Sequence, residues 1–172
     1  GTPVLIQLII IYTGLPQLGI RLSVVESAII GLALNEGAYL AEVIRSGIMS
    51  VDKGQTDASR AVGMTWRQRM WMVILPQATR TIIPPLGNQF NGMLKTTSLA
   101  SVISMEELMR NAQMLAQIEF RVLEAYTVAA VWYLVLVSIW GLIQVRIEAH
   151  YEKPFGPAAA AGHLRGAGGG EP

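Results

Sequence analysis

Long apolar runs separated by shorter polar stretches organise this sequence. Four such runs stand out, at residues 4–20, 24–44, 82–104 and 122–145. The fourth carries no charge between Glu124 and Arg146, and its length matches the roughly 20 residues that cross the hydrocarbon core of a bilayer. The second and third runs are interrupted by charged residues. The pattern predicts an all-α integral membrane protein with four transmembrane helices.

The polar stretches between these runs differ in charge, and this difference predicts an orientation. Residues 45–80 contain six basic and two acidic residues, a net charge of +4, whereas residues 105–121 have a net charge of −1. Lysine and arginine collect on the cytoplasmic side of membrane proteins. We therefore expect the loop at 45–80 to be cytoplasmic and the loop at 105–121 to be external. Alternation then places the C-terminus in the cytoplasm.

Composition narrows the class of protein further. The 172 residues are 52% hydrophobic and only 15% charged, with a mean hydropathy of +0.42, whereas about 25% charged residues is usual for soluble domains. A net charge of +1 argues against nucleic-acid binding, and the absence of cysteine excludes disulfides, thiolate metal sites and cysteine nucleophiles. Two isolated histidines, His150 and His163, have no ligand spacing, so no metal site is expected.

The C-terminal stretch differs from the rest of the chain. Residues 153–172 are rich in proline, glycine and alanine, which cannot bury a core. The sequence therefore predicts a transmembrane domain at 1–152 and a disordered cytoplasmic tail at 153–172.

The cytoplasmic loop contains signals for two short helices. Thr56 and Asp57 predict a helix start, because threonine caps free N–H groups and an acidic residue suits the positive end of the helix dipole. Gly63 predicts a turn, and a second amphipathic helix is expected from Trp66 to a stop at Pro76. From these residues alone, two interpretations stay open: a docking surface for a cytoplasmic partner, or an amphipathic helix at the lipid headgroups.

A spaced motif in this loop resembles a known family. Asp57-Ala58-Ser59, three residues, Gly63, nine residues and then Val73-Ile74-Leu75-Pro76 follow the E-A-A, G, I-x-L-P spacing of bacterial ABC-transporter permeases. Aspartate replaces glutamate, serine replaces alanine and valine replaces isoleucine. The stretches at 35–55 and 83–104 are similar to the polar amino-acid branch, which includes histidine, glutamate/glutamine, arginine and opine permeases.

The resemblance implies a fold and a set of partners. The expected fold is the type I (MetI-like) permease fold of ABC importers, with five helices per subunit; the chain shows four, so its first helix is expected to be missing. The expected partners are a separate ABC ATPase, a second permease subunit in a homo- or heterodimer, and a periplasmic or lipid-anchored amino-acid-binding protein. ATP and magnesium would lie on the ATPase, and this chain carries no nucleotide-binding motif and no cofactor. The resemblance also implies that the protein is located in the bacterial inner membrane and that its substrate is a polar amino acid.

By the same match, six positions would couple the permease to its ATPase. These are Asp57, Ala58, Ser59, Gly63, Leu75 and Pro76.

Ionisable and polar residues within the predicted spans are candidates for a translocation pathway, because charges near the bilayer centre usually face a bundle interior. The candidates are Asn35, Glu36, Tyr39, Glu42 and Lys95. Glu36 can attract an ammonium group, and Lys95 can meet a carboxylate or pair with a glutamate. The alternative is that Glu42 and Lys95 form structural pairs or extend to the interface.

The sequence also bears on two other functional classes. An intramembrane enzyme is disfavoured, because no span holds a serine–histidine or paired-aspartate arrangement, and no catalytic residue is assigned. A channel or secondary transporter that needs no ATPase stays open as an alternative.

Overall fold

Helices are the only regular secondary structure among the described residues. The computed structural model describes residues 1–151; the predicted disordered tail at 153–172 and His163 lie outside them. Within this range there is no strand. The α-helices are α1 (Val4–Ile9), α2 (Val24–Met49), α3 (Lys53–Ala61), α4 (Trp66–Arg69), α5 (Leu75–Thr96), α6 (Leu108–Glu119) and α7 (Val122–Tyr151).

The first apolar run forms one continuous helical segment of changing pitch. Helix α1 passes into a π-turn at Ile10–Gly14 and a 3₁₀ turn at Leu15–Leu18. Gly19 ends the segment with a φ of +83°, a left-handed conformation that glycine adopts without a side-chain clash. Ser23 then begins α2 through a capping box: its hydroxyl accepts from the Glu26 N–H at 3.2 Å, and the Glu26 carboxylate accepts from the Ser23 N–H at 2.7 Å.

Two features of the loop at 45–80 correct the sequence-based expectation. Helix α3 begins at Lys53, capped by Asp52, so Thr56 and Asp57 lie inside the helix rather than at its start. The second helix also does not stop at Pro76. Helix α4 continues through a π-turn at Met70–Ile74 into α5, which runs on past Pro84 and Pro85.

The π-turn explains why Pro76 does not end this helix. The Leu75 N–H donates to the Met70 carbonyl, five residues back, so the usual hydrogen-bond ladder is already interrupted there. Pro76 follows within the first two positions of α5, where the missing N–H of proline is tolerated. The helix therefore runs without a break from Trp66 to Thr96 and ends in a 3₁₀ segment, Thr97–Ile103.

The helices in the four predicted spans differ in whether they are long and apolar enough to cross a bilayer. Among the described residues, α2 and α7 are long and apolar enough to cross a bilayer by length and composition, and Val4–Leu18 is apolar but shorter. The loop at 105–121 contains α6, which Glu107 caps by accepting from the Met109 and Arg110 N–H groups at 2.8 and 2.6 Å. The span boundaries stay predictions.

Small residues bring the helices close together. Helix α5 packs between α2 and α7, α6 packs on α7, and α1 packs on α2. A Cβ atom on Gly47 would lie 2.2 Å from Ile82 Cγ1, and one on Gly87 would lie 2.5 Å from Gln144 Cδ. A separate buried cluster joins Leu8, Ala28, Ala100 and Ile103. Such close backbone approach at small residues is typical of packing between membrane helices.

Candidate functional site

Helix α3 carries the first part of the motif and is held by local contacts. Asp52 caps it, with its carboxylate oxygen accepting from the Gly54 N–H at 2.6 Å. Ser59 is buried, and its hydroxyl donates to the Thr56 carbonyl at 2.8 Å. Asp57 and Ala58 are exposed. The buried Ser59 therefore fixes the helix against its neighbours and leaves Asp57 and Ala58 available for contact with another molecule.

The one charged contact on this exposed surface is weak. Asp57 Oδ1 lies 3.6 Å from Arg60 Nη1 one turn along, and both side chains are largely exposed. Solvent-exposed pairs of this kind contribute about 0–1 kcal/mol to stability. Asp57 is thus free to exchange Arg60 for a different partner at little energetic cost.

Gly63 forms the predicted turn. Its φ of +77° lies in the left-handed region, and a Cβ would meet no atom within 4 Å, so the requirement for glycine there is one of backbone conformation. The Gly63 N–H donates to the Arg60 carbonyl at 2.9 Å, and the Met64 N–H to the Ser59 carbonyl at 3.1 Å. These bonds satisfy carbonyl groups at the end of α3.

The next helix begins immediately after this turn. Thr65 caps α4 through a capping box with Gln68, whose side-chain oxygen accepts from the Thr65 N–H at 2.9 Å. Leu75 is half-buried and Pro76 exposed, both at the start of α5. The six predicted coupling positions are therefore divided: four lie on α3 and its turn, and two lie beyond the π-turn.

Glu36 is the one buried residue among the five predicted pathway positions. It is 7% exposed, and its Oε2 accepts a hydrogen bond of 2.6 Å from Gln89 Nε2 on α5. A hydrogen bond to a buried carboxylate offsets part of the loss of hydration. This contact joins α2 to α5 at mid-helix.

A cavity of about 360 Å³ opens beside this pair, between α2, α5 and α7. Its polar side chains are Glu36, Gln89 and Gln144, and the rest of its lining is apolar or aromatic. The rings of Phe90 and Trp140 lie 4.1 Å apart at 43°. The surface exposed to the cavity is almost entirely apolar, and the aromatic rings on it are groups that can contact an ammonium group.

The aromatic side of this cavity is fixed by a contact between helices. Trp140 Nε1 donates to the Gly87 carbonyl at 2.9 Å, and the absence of a side chain at Gly87 lets α7 come this close. Sequence reasoning missed Gln89, Gln144 and the Phe90–Trp140 pair. Gln144 was detectable in principle, as a polar residue in an otherwise apolar run, but its partner on α5 was not.

The other predicted pathway residues lie apart from this cavity. Asn35 Nδ2 donates to Gln7 Oε1 on α1 at 3.1 Å. Tyr39 is exposed, and Glu42 is exposed and pairs with Arg45, whose Nε donates to it at 2.8 Å. Lys95 is exposed, and within residues 1–151 it forms no ion pair. The structure therefore brings together Glu36 and residues that were not predicted, rather than the five candidates.

The helical bundle, together with the spaced motif on α3 and its turn at Gly63, fits the transmembrane subunit of a transporter. Residues 1–153 match the family described as "Binding-protein-dependent transport system inner membrane component", and the chain belongs to this family of ABC-transporter permeases.

Relatives and solved structures agree with this assignment. The chain is 44% identical to "Probable amino-acid ABC transporter permease protein PatM" of Vibrio harveyi over 158 residues, which cover 90% of this chain and 71% of PatM. It is 42% identical to "L-cystine transport system permease protein TcyB" of Bacillus subtilis over 154 residues, 89% of this chain and 66% of TcyB.

The solved structures establish the fold. One described as "Crystal structure of an amino acid ABC transporter with histidines" matches with a TM-score of 0.81 and 40% identity, over 87% of this chain and 70% of that chain. A MetNI methionine ABC transporter matches with a TM-score of 0.73 at 18% identity, over 87% of this chain and 69% of that chain. The predicted type I permease fold is therefore confirmed, as is the amino-acid permease family.

Proposed function

We propose that this chain is the membrane-spanning permease subunit of an ATP-driven importer of polar amino acids. The observation that carries the proposal is the exposed α3 with its turn at Gly63, which presents the family motif outside the helix bundle. The relatives named above support the substrate class, since PatM and TcyB are named as amino-acid and cystine permeases.

In this proposal, some of the coupling residues contact the ATPase and others hold the contacting surface in place. Asp57 and Ala58 touch the ATPase, because both are exposed on α3, whereas Ser59 and Leu75 hold the surface in place from the inner side. ATP and magnesium are bound by the ATPase. A second permease subunit, identical or different, completes the pathway, and an external binding protein delivers the amino acid. The loop at 45–80 and the C-terminus are cytoplasmic.

The pathway is proposed to pass the cavity beside Glu36. The carboxylate attracts the substrate ammonium group, while Gln89 holds that carboxylate on the cavity wall through the bond at 2.6 Å. Since Tyr39, Glu42 and Lys95 lie on exposed helix surfaces, they would reach substrate only where a second subunit covers them.

The coupling proposal is tested with the variant Gly63→Pro, since proline fixes φ near −65° and cannot adopt the observed +77°. Co-purification with the ATPase and ATP-dependent uptake should both be lost. Gly37→Ala, at a helix position with nothing within 4 Å, is the matched control and should retain both. Unchanged association and uptake in Gly63→Pro would overturn the proposal, and uptake that persists without any ATPase would identify a channel or secondary transporter.

The pathway proposal is tested with Glu36→Gln, which keeps an oxygen acceptor for Gln89 but removes the negative charge. Uptake should fall while the complex still assembles. The control Glu124→Gln, at an exposed position at the start of α7, should leave uptake unchanged. Normal uptake kinetics in Glu36→Gln would show that the substrate does not depend on this carboxylate.

A further inference from the structure

Each π-turn in residues 1–151 is followed by a leucine and then a proline. The π-turn at Ile10–Gly14 precedes Pro16, and the π-turn at Met70–Ile74 precedes Pro76. In both, the intervening leucine N–H donates to the carbonyl five residues back. The proline therefore has the same position relative to the π-turn in two separate parts of the chain.

A proline at this position opposes the return of the π-turn to a regular α-helix. In an α-helix the N–H of residue 76 would bond to the carbonyl of Met72, but proline has no N–H and its ring clashes with that carbonyl. Within the π-turn, the Val73 carbonyl accepts from Gln77 Nε2 at 2.9 Å. Pro84 and Pro85 lie in α5 without a π-turn, so a proline does not create one by itself. It raises the cost of the α-helical alternative.

The π-turn at Met70–Ile74 sets the direction in which the loop at 45–80 joins α5. A π-turn contains one residue more than the α-helical path, and one residue corresponds to about 100° of rotation and 1.5 Å of rise. Helix α3 depends on this geometry, because it packs against the π-turn and Gln77 Nε2 lies 3.5 Å from Gln55 Oε1. Replacing the π-turn by an α-helical turn would therefore move α3 relative to α5.

We propose that Pro76 is a positioning residue for coupling, which maintains the π-turn and thereby fixes the orientation of α3 relative to α5. The proposal rests on the proposed function, in which Asp57 and Ala58 on α3 contact the ATPase. It gives the last position of the spaced motif a role distinct from theirs, because Pro76 acts through the backbone rather than by touching the ATPase.

The first measurement is the distance between two spin labels on the full chain. The chain has no cysteine, so the labels are attached at Lys53→Cys on α3 and Leu142→Cys on α7, both exposed positions. Pro76→Ala should shift this distance by several ångström, because alanine can donate to the Met72 carbonyl in an α-helix. Deletion of Met72 in the Pro76→Ala background should restore the distance, since the extra residue is then removed without a rotation.

The second measurement is ATP-dependent uptake by the complex reconstituted with its ATPase. Pro76→Ala should lose most of the uptake, and the added deletion of Met72 should recover it although the proline is still absent. This recovery separates positioning from contact, because a deletion elsewhere in the helix cannot replace a lost contact of Pro76 with the ATPase. Pro16→Ala, which removes the proline after the other π-turn, is the matched control and should leave label distance and uptake unchanged.

Two results would overturn the proposal. An unshifted label distance in Pro76→Ala would show that the packing of α3, and not Pro76, maintains the π-turn. Restored distance without restored uptake after deletion of Met72 would show that Pro76 acts by direct contact.

Two further comparisons keep the test decisive. If Pro76→Ala does not fold, unfolding temperatures take its place: deletion of Met72 alone should be less stable than deletion combined with Pro76→Ala, and equal stability would contradict the proposal. The label distances are measured without the ATPase, so they can support the role of Pro76 in the fold even where Gly63→Pro shows that the coupling assignment is wrong.

Discussion

Around Gly63, each hydrogen bond joins residues that are close neighbours in sequence, as from Met64 to Ser59 and from Thr65 to Gln68. Around Glu36 and Trp140, the bonds to Gln89 and Gly87 each span 53 positions. The turn at Gly63 can therefore keep its shape when the bundle shifts, whereas the cavity beside Glu36 exists only while α2, α5 and α7 are packed. Substitutions at the turn should thus perturb only nearby backbone structure, whereas substitutions in the bundle should lower the stability of the whole protein.

The largest effect is expected where the bundle is tightest. In Gly47→Ala, the new Cβ would lie 2.2 Å from Cγ1 of Ile82, a buried β-branched side chain with little room to move. Overpacking of this kind costs about 1–3 kcal/mol. The detergent-solubilised protein should unfold at a clearly lower temperature. Gly37→Ala on the same helix meets no atom within 4 Å and should not be destabilised; equal loss in both variants would contradict the packing account.

The next effect is expected at the Glu36–Gln89 contact. Glu36→Leu leaves the Gln89 amide without this acceptor, and Gln89→Leu leaves a buried carboxylate without this donor, so each should cost about 1–3 kcal/mol. The double variant removes both polar groups and should recover much of that loss. A double-mutant cycle of thermal unfolding measures this coupling, and strictly additive losses would show that the two side chains do not depend on each other.

A smaller and more local effect is expected at Gly63. Gly63→Ala places a side chain at a φ of +77°, which costs about 1–2 kcal/mol. Hydrogen exchange of the Met64 amide should accelerate while the unfolding temperature of the bundle changes little. Gly92→Ala, which has nothing within 4 Å, is the control. Faster exchange throughout α2 and α7 would mean that the turn and the bundle are not independent.

The smallest effect is expected at the cap of α4. Thr65→Ala removes the oxygen that accepts from the Gln68 N–H at 3.4 Å, and loss of such a cap costs about 1 kcal/mol. Exchange of the Gln68 amide should rise, and Thr65→Ser should restore the unaltered rate. No change in exchange at this amide would show that the cap does not hold the helix start.

The same contrast explains what could be predicted from the sequence. The turn at Gly63 and the helix start after Thr65 were predictable because glycine conformation and capping are local properties. The start of α3 was misplaced because Asp52, Thr56 and Asp57 are all suitable near a helix N-terminus, and only the bond from Gly54 to Asp52 distinguishes them.

The intramembrane site was harder to predict than the turn. Glu36 was identified because a charge in an apolar run is unusual, but its partner Gln89 depends on how α2 and α5 pack. Asn35, Tyr39 and Glu42 were candidates because they are polar residues in an apolar run, but Asn35 contacts α1 and the other two side chains are exposed. The predicted helix stop at Pro76 was wrong because a π-turn, which has no clear sequence signal, precedes this proline.

The unbroken helix from Trp66 to Thr96 gives the protein a mechanical link between its two regions. A helix transmits axial displacement along its length, so in the proposed function a push on the loop at 45–80 reaches Gln89 and, through it, the carboxylate of Glu36. Pro84 and Pro85 lie between these points, and each removes one backbone hydrogen bond. In the proposed function this helix acts as a lever with a compliant joint in the cavity wall, between Ile83 and Leu86, and the stiffness of that joint sets how much of a stroke at the loop reaches the proposed pathway.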